Sequence, residues 1–198
     1  MRRREYGDRG QAFPIYITVV GGLLFLAFAY LAVGQAGANR NGAQTAADAA
    51  ALAAAQDTRD QLAAAWEQSV LTPEKWQDIF DGDVPGLGPS CRRADQLAAR
   101  NDARVLSCVP EGLLAFVVEV ETNKTVGDSI VPGTENQKSV ASAKAVIEPR
   151  CTFEPPAADA GKDELPRLGC QDRNWDLDPK DLGNLPGPED LFDVHLAD

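Results

Sequence analysis

From Ala12 to Ala38 the chain reads AFPIYITVVGGLLFLAFAYLAVGQAGA, and from Gly42 to Gln56 it reads GAQTAADAAALAAAQ. The first stretch decides where the protein sits, the second how it is built. No charged residue occurs from Gly10 to Asn39, thirty positions in a row, and a helix needs only about 20 apolar residues to cross a bilayer. Residues 12–38 are therefore predicted to form a transmembrane helix. Arg2, Arg3, Arg4 and Arg9 precede it, so the positive-inside bias predicts a cytoplasmic basic segment at 1–11 and an extracytoplasmic position for everything after the span. A cleavable secretory signal competes with a retained anchor, because Ala36-Gly37-Ala38 has the small-x-small form of a signal-peptidase site. Against it, signal h-regions run only about 7 to 15 residues.

The second stretch has the composition of a strong helix former. Small residues recur every fourth position, at Gly34, Ala38 and Gly42 and again at Ala43, Ala47, Ala51 and Ala55. Such spacing makes a flat stripe on which another helix can approach closely. Leu62, Trp66 and Val70 continue it with bulkier side chains. The prediction is an Ala-rich stalk helix over 39–71, with Asn39-Arg40-Asn41-Gly42 as the place for a bend and Thr72-Pro73 as its stop. Gly21, Gly22, Gly34, Ala38, Ala47 and Ala51 are the expected helix-packing interface.

Asp8-Arg9-Gly10-Gln11-Ala12 before the span and Gln44-Thr45-Ala46-Ala47-Asp48-Ala49-Ala50-Ala51-Leu52-Ala53 after it resemble the TadE/TadG-like proteins of bacterial Flp (tight adherence) pilus systems. The resemblance covers about the first 56 residues. Family members often carry an acidic residue where the span ends; here Gly34-Gln35 stands in that place. Long members also have a von Willebrand-type domain with an Asp-x-Ser-x-Ser metal site, and this chain contains no such string. A prepilin-type cut at Gly7 or Gly10 is a further alternative, but a pilin carries Glu five residues later, where Ala12 and Ile15 stand here. The resemblance implies a short, pseudopilin-like protein without metal-dependent adhesion.

Residues 72–151 read as a small α+β ectodomain. Pro73 to Phe80 suits a short helix with Pro in its first turn, Asp81 to Pro89 a loop, and Arg92 to Arg104 a further helix. Val105 to Val109 and Leu113 to Thr122 read as strands, with Phe116, Val118 and Val120 on one face and Glu119 and Glu121 on the other. After a polar loop containing Pro132-Gly133, Ser139 to Ile147 places Ala141, Ala143, Ala145 and Ile147 on one side. This antiparallel meander is expected to lay its apolar face on the long helix.

All four cysteines, Cys91, Cys108, Cys151 and Cys170, lie beyond the span. An even number in an oxidising compartment points to two disulfides, for which three pairings exist. Cys91 with Cys108 and Cys151 with Cys170 is favoured because each closes a short loop. Spacings of 17 and 19, with no Cys-x-x-Cys and no neighbouring His, disfavour a metal or redox site. From Thr152 onward there are six prolines and twelve Asp or Glu against four Lys or Arg, so 152–198 is expected to be an acidic, disordered tail without a core of its own. Asp176, Asp178 and Asp181 are weighed as calcium ligands against a plain solvated tail; no EF-hand loop surrounds them. Asn123-Lys124-Thr125 fits a glycosylation acceptor by pattern.

Composition closes other routes. Lys and Arg number 19 against 30 Asp and Glu, a net charge of −11, which argues against a nucleic-acid binder. The single His, His195, leaves little for a His-based triad. No paired carboxylates, Ser-centred elbow or phosphate loop stands out, so no catalytic residue, metal or cofactor is expected. The functional reading is a single-pass membrane protein that takes part in Flp-type pilus assembly or a related secretion structure by helix packing, with pilin or pilus-assembly subunits as partners. The alternative is a secreted or anchored extracellular protein, either an unrecognised hydrolase or an acidic module binding calcium or cell-wall polymer.

Overall fold

The computed structural model describes residues 12–125, 136–154, 165–171 and 173–197. The basic segment 1–11, Pro132-Gly133 of the polar loop, and Pro155 and Pro156 of the tail lie outside the described residues. One helix, α1 (Ala12–Gln68), dominates the molecule. At 1.5 Å per residue it is about 85 Å long, and it stays helical through Asn39-Arg40-Asn41-Gly42.

A 3-10 turn (Pro73–Lys75) and α2 (Trp76–Phe80) follow, then α3 (Cys91–Arg100). Ala94 and Ala98, one turn apart on α3, are buried. Helix α3 ends four residues before the predicted Arg104. The Asn101 side-chain amide donates to Leu97 O at 2.8 Å, and Asp102 takes a left-handed backbone with φ 54°. Asn and Asp tolerate that region better than other side chains, so the chain reverses there and enters a strand at Ala103.

Strands β1 (Ala103–Pro110), β2 (Ala115–Thr122) and β3 (Val140–Pro149) form the expected antiparallel meander. Phe116, Val118 and Val120 pair with Ala145, Ala143 and Ala141 in register. This row forms the inner face, which packs on the second half of α1. The alternation is that of a half-buried sheet, hydrophobic inside and polar outside. A β-bulge at Leu106 interrupts the β1–β2 ladder.

The expectation of a disordered tail does not hold for its described residues. β4 (Cys151–Phe153), β5 (Leu168–Cys170) and β6 (Asn174–Trp175) make a second antiparallel sheet. After α4 (Pro188–Leu191), β7 (Phe192–Leu196) adds to the free edge of β3 as the fourth strand of the main sheet. Leu168, Leu191 and Phe192 are fully buried. The tail builds no core of its own but completes one begun elsewhere, a contribution that composition does not register. Trp66, Trp76, Phe80, Phe153 and Phe192 form a chain of ring contacts with centroids 5.2–6.0 Å apart at the far end of α1.

Candidate functional site

Helix α1 has two halves with opposite environments. From Phe13 to Gly42 every described side chain is exposed or half-exposed, including Phe13, Leu24, Phe28, Tyr30 and Val33. These residues cover all sides of the helix, and a helix that is apolar all round belongs in apolar surroundings. An 18-residue window here has a mean hydropathy of 2.2 with none of it buried, so the segment is long and apolar enough to cross a membrane. At Ala43 the environment switches. Ala43, Ala46, Ala47, Ala50, Ala51, Ala54 and Ala55 are all at 0% exposure.

The predicted interface residues divide at this boundary. Gly21, Gly22, Gly34 and Ala38 lie in the exposed half. A Cβ placed on any of the three glycines would meet nothing within 4 Å, so the protein's own fold does not require their smallness. Ala47 and Ala51 require a correction. They have no exposed surface and belong to the protein's own core, where α1 packs on the sheet and α3. The Ala stripe is real, but it brings the protein's own sheet and α3 close to α1. Side chains grow from alanine near the apolar half to Leu62 and Trp66 further out, leaving room there for the aromatic cluster.

Two disulfides staple this body. Cys91–Cys108 ties the start of α3 to β1, and Cys151–Cys170 ties β4 to β5, where the two cysteines are register partners. A polar lock that the sequence did not reveal joins α1 to the 88–90 loop. The hydroxyls of Thr58 and Ser90, both buried, are 2.7 Å apart, and Gln61 receives a hydrogen bond from the Gly88 N–H and donates to Ser90 Oγ at 3.2 Å. Thr, Gln and Ser some thirty positions apart carry no sequence signal, since only the approach of α3 to α1 makes them neighbours. Beside the lock, Val84, Leu87, Pro110, Leu113 and Phe116 line an open, mainly apolar cleft of about 380 Å³.

The remaining sequence candidates are occupied locally. Asp176 faces Arg167 at 2.9 Å, Asp178 accepts from the Lys180 N–H and Asp181 from the Gly183 N–H. Among the described residues no group of three or more His, Cys, Asp or Glu side chains comes together that could hold a metal. His195 Nδ1 lies 2.9 Å from Asp193 on the outer side of β7. Glu121 accepts from Arg104 at 2.8 Å and has Lys138 at 3.5 Å. The Arg104 hydrogen bond, reinforced by the charges of Arg104 and Lys138 against a smaller desolvation effect, holds the Glu121 carboxyl below its ordinary range.

Fold and site together define a class: an anchor-type protein in which one helix serves as an exposed apolar segment in its first half and as the spine of a disulfide-stapled α+β head in its second. Residues 10–57 match the model of the Tad family, described as Putative Flp pilus-assembly TadE/G-like. The match covers the apolar half and the alanine portion of the spine. Comparison with curated proteins and with solved structures finds no match. Involvement in Flp pilus assembly is what the matched region indicates, and the apolar helix fits a membrane-anchored protein.

Proposed function

We propose that the protein is a non-enzymatic, single-pass subunit of a Flp-type (Tad) pilus-assembly machine, with its N-terminus in the cytoplasm and its head outside. It acts by lateral packing of its apolar helix half against the membrane helices of pilin or pilus-assembly partners. The observation that carries this reading is the division of α1, whose first half is exposed or half-exposed along its described length while its second half is the core of the head. A helix continuous across that boundary transmits any tilt or displacement of the membrane segment to the head. Gly21 and Gly22 on one side of the helix, and Gly34 and Ala38 on another, supply small surfaces at which backbones approach, and in lipid, packing and interhelical hydrogen bonds replace the hydrophobic effect as the driving force. The arginines before the span set the orientation, and the disulfides suit an oxidising compartment.

The test uses the full chain in its native host. Gly21→Leu, Gly22→Leu and Gly34→Leu meet open space in the isolated fold, so the head keeps its disulfides and the helix still inserts. Co-purification of Tad partners is expected to fall in at least one variant. Unchanged co-purification in all three, with normal expression, would show that this surface is not the interface.

A further inference from the structure

The head distributes its charge unevenly along α1. Near the start of β3, Ser142 O accepts from the Gln44 side chain at 3.4 Å. At the other end of β3, Pro149 pairs with Phe192, whose ring packs on Phe80 in the aromatic cluster reaching Trp66. Strand β3 therefore starts beside the apolar half of α1 and runs away from it. Helix α3 runs the opposite way: Ser90 sits at Thr58, while Leu97 and Arg100 share a groove with Ala49 and Leu52. The end of α3, the start of β1, the end of β2 and the start of β3 thus form the rim of the head nearest the apolar half.

That rim gathers cations on a chain whose net charge is −11. Arg104 and Lys138 flank Glu121, and Lys124 meets Asp102 at 2.8 Å. Arg40 on α1 and Arg100 at the end of α3 have no ion-pair partner among the described residues. At the far end, where Arg150 follows Pro149 of β3, acidic residues outnumber basic ones. Glu67, Glu74, Asp78, Asp81 and Asp83 crowd a stretch in which Lys75 is the one cation between Asp60 and Cys91.

We propose that this rim is an interfacial surface for anionic phospholipid headgroups, contacted by Arg40, Arg100, Arg104, Lys124 and Lys138; the proposal rests on the reading that the apolar half spans a membrane. The levels agree. The uncharged part of α1, residues 12–39, makes about 42 Å of helix, the thickness of a bilayer with its headgroups. Arg40 then emerges at the headgroup layer, and Gln44, the level of Ser142, is about 6 Å further out. Lys138 precedes Ser142 on the bilayer side. Ammonium and guanidinium groups donate strong charge-assisted hydrogen bonds to phosphodiester oxygens, and attraction to an anionic surface acts within about 8 Å at physiological salt.

The full chain is reconstituted in nanodiscs of phosphatidylcholine alone or with phosphatidylglycerol, and amide hydrogen exchange is followed at 100–104, 121–125 and 136–140. Exchange at these segments is expected to slow several-fold with phosphatidylglycerol. The effect is expected to vanish in 0.5 M salt on the order of a few Å of Debye length, and in the variant Arg100→Gln, Lys124→Gln, Lys138→Gln. The far-side variant Lys75→Gln is expected to retain it. Equal exchange in both lipids, in chains that resist carbonate extraction, overturns the rim and leaves the membrane span standing. Release of the intact chain by carbonate overturns the span and the rim with it.

Discussion

The ring of Phe192 lies 5.4 Å from that of Phe80, joining a residue near the C-terminal end of the chain to the short helix that follows α1. This contact makes the acidic tail a structural part of the head. Phe192→Ala removes a fully buried ring from the aromatic cluster and is expected to destabilise the head by about 3–5 kcal/mol. Urea unfolding of the full chain in detergent, followed by Trp fluorescence, measures it. A loss within the scatter of a surface substitution would mean that the tail packs only peripherally.

Ala51→Leu separates the two halves of α1. Ala51 has no exposed surface, so three added carbon atoms must displace the sheet or α3, at a cost of about 1–3 kcal/mol. The head's unfolding midpoint is expected to fall for Ala51→Leu and to stay unchanged for Gly34→Leu. Equal midpoints would mean that the sheet does not close on α1 at that level.

The Cys91–Cys108 disulfide closes a loop with a sequence separation of 17. Constraint of the unfolded chain makes such a loop worth about 3 kcal/mol, and Cys91→Ser, Cys108→Ser is expected to lose stability of that order. Intact mass without reductant is expected to lie about four hydrogens below the reduced chain, reporting both bridges.

Because the Glu121 carboxyl is held below its ordinary value of 4.5 by Arg104 and Lys138, its ionised form is the one the fold favours. Its stabilising contribution is present above the unfolded pKa and is lost as pH falls below 4.5 through the lower folded value. Glu121→Gln is expected to flatten the acid limb of the stability profile in that window and to leave the slope above it unchanged. Unfolding midpoints measured across the acid range in both proteins test the sign.

Local signals made much of this protein legible. The unbroken apolar run, the alternation of Phe116, Val118 and Val120, and the alanine row of β3 each follow from a period written in neighbouring residues. Helix propensity carries α3 on to Arg104, whereas the reversal after Arg100 depends on Asp102 adopting φ 54°. The Thr58–Ser90 pair and the cationic rim were invisible because their members are scattered along the chain.

Sequence alone determined that α1 has an apolar half able to cross a bilayer, that an Ala-rich helix continues from it, and that a small antiparallel meander follows, since hydropathy, propensity and alternation are properties of short stretches. Tertiary structure alone decided what the alanines touch, where the tail goes and which end of the head is cationic. A stripe of small residues accepts any close surface. Here the protein's own sheet and α3 cover Ala47 and Ala51, while Gly21, Gly22, Gly34 and Ala38 stay exposed. In the same way β7 folds because β3 offers it an open edge, a pairing between distant segments that composition cannot encode.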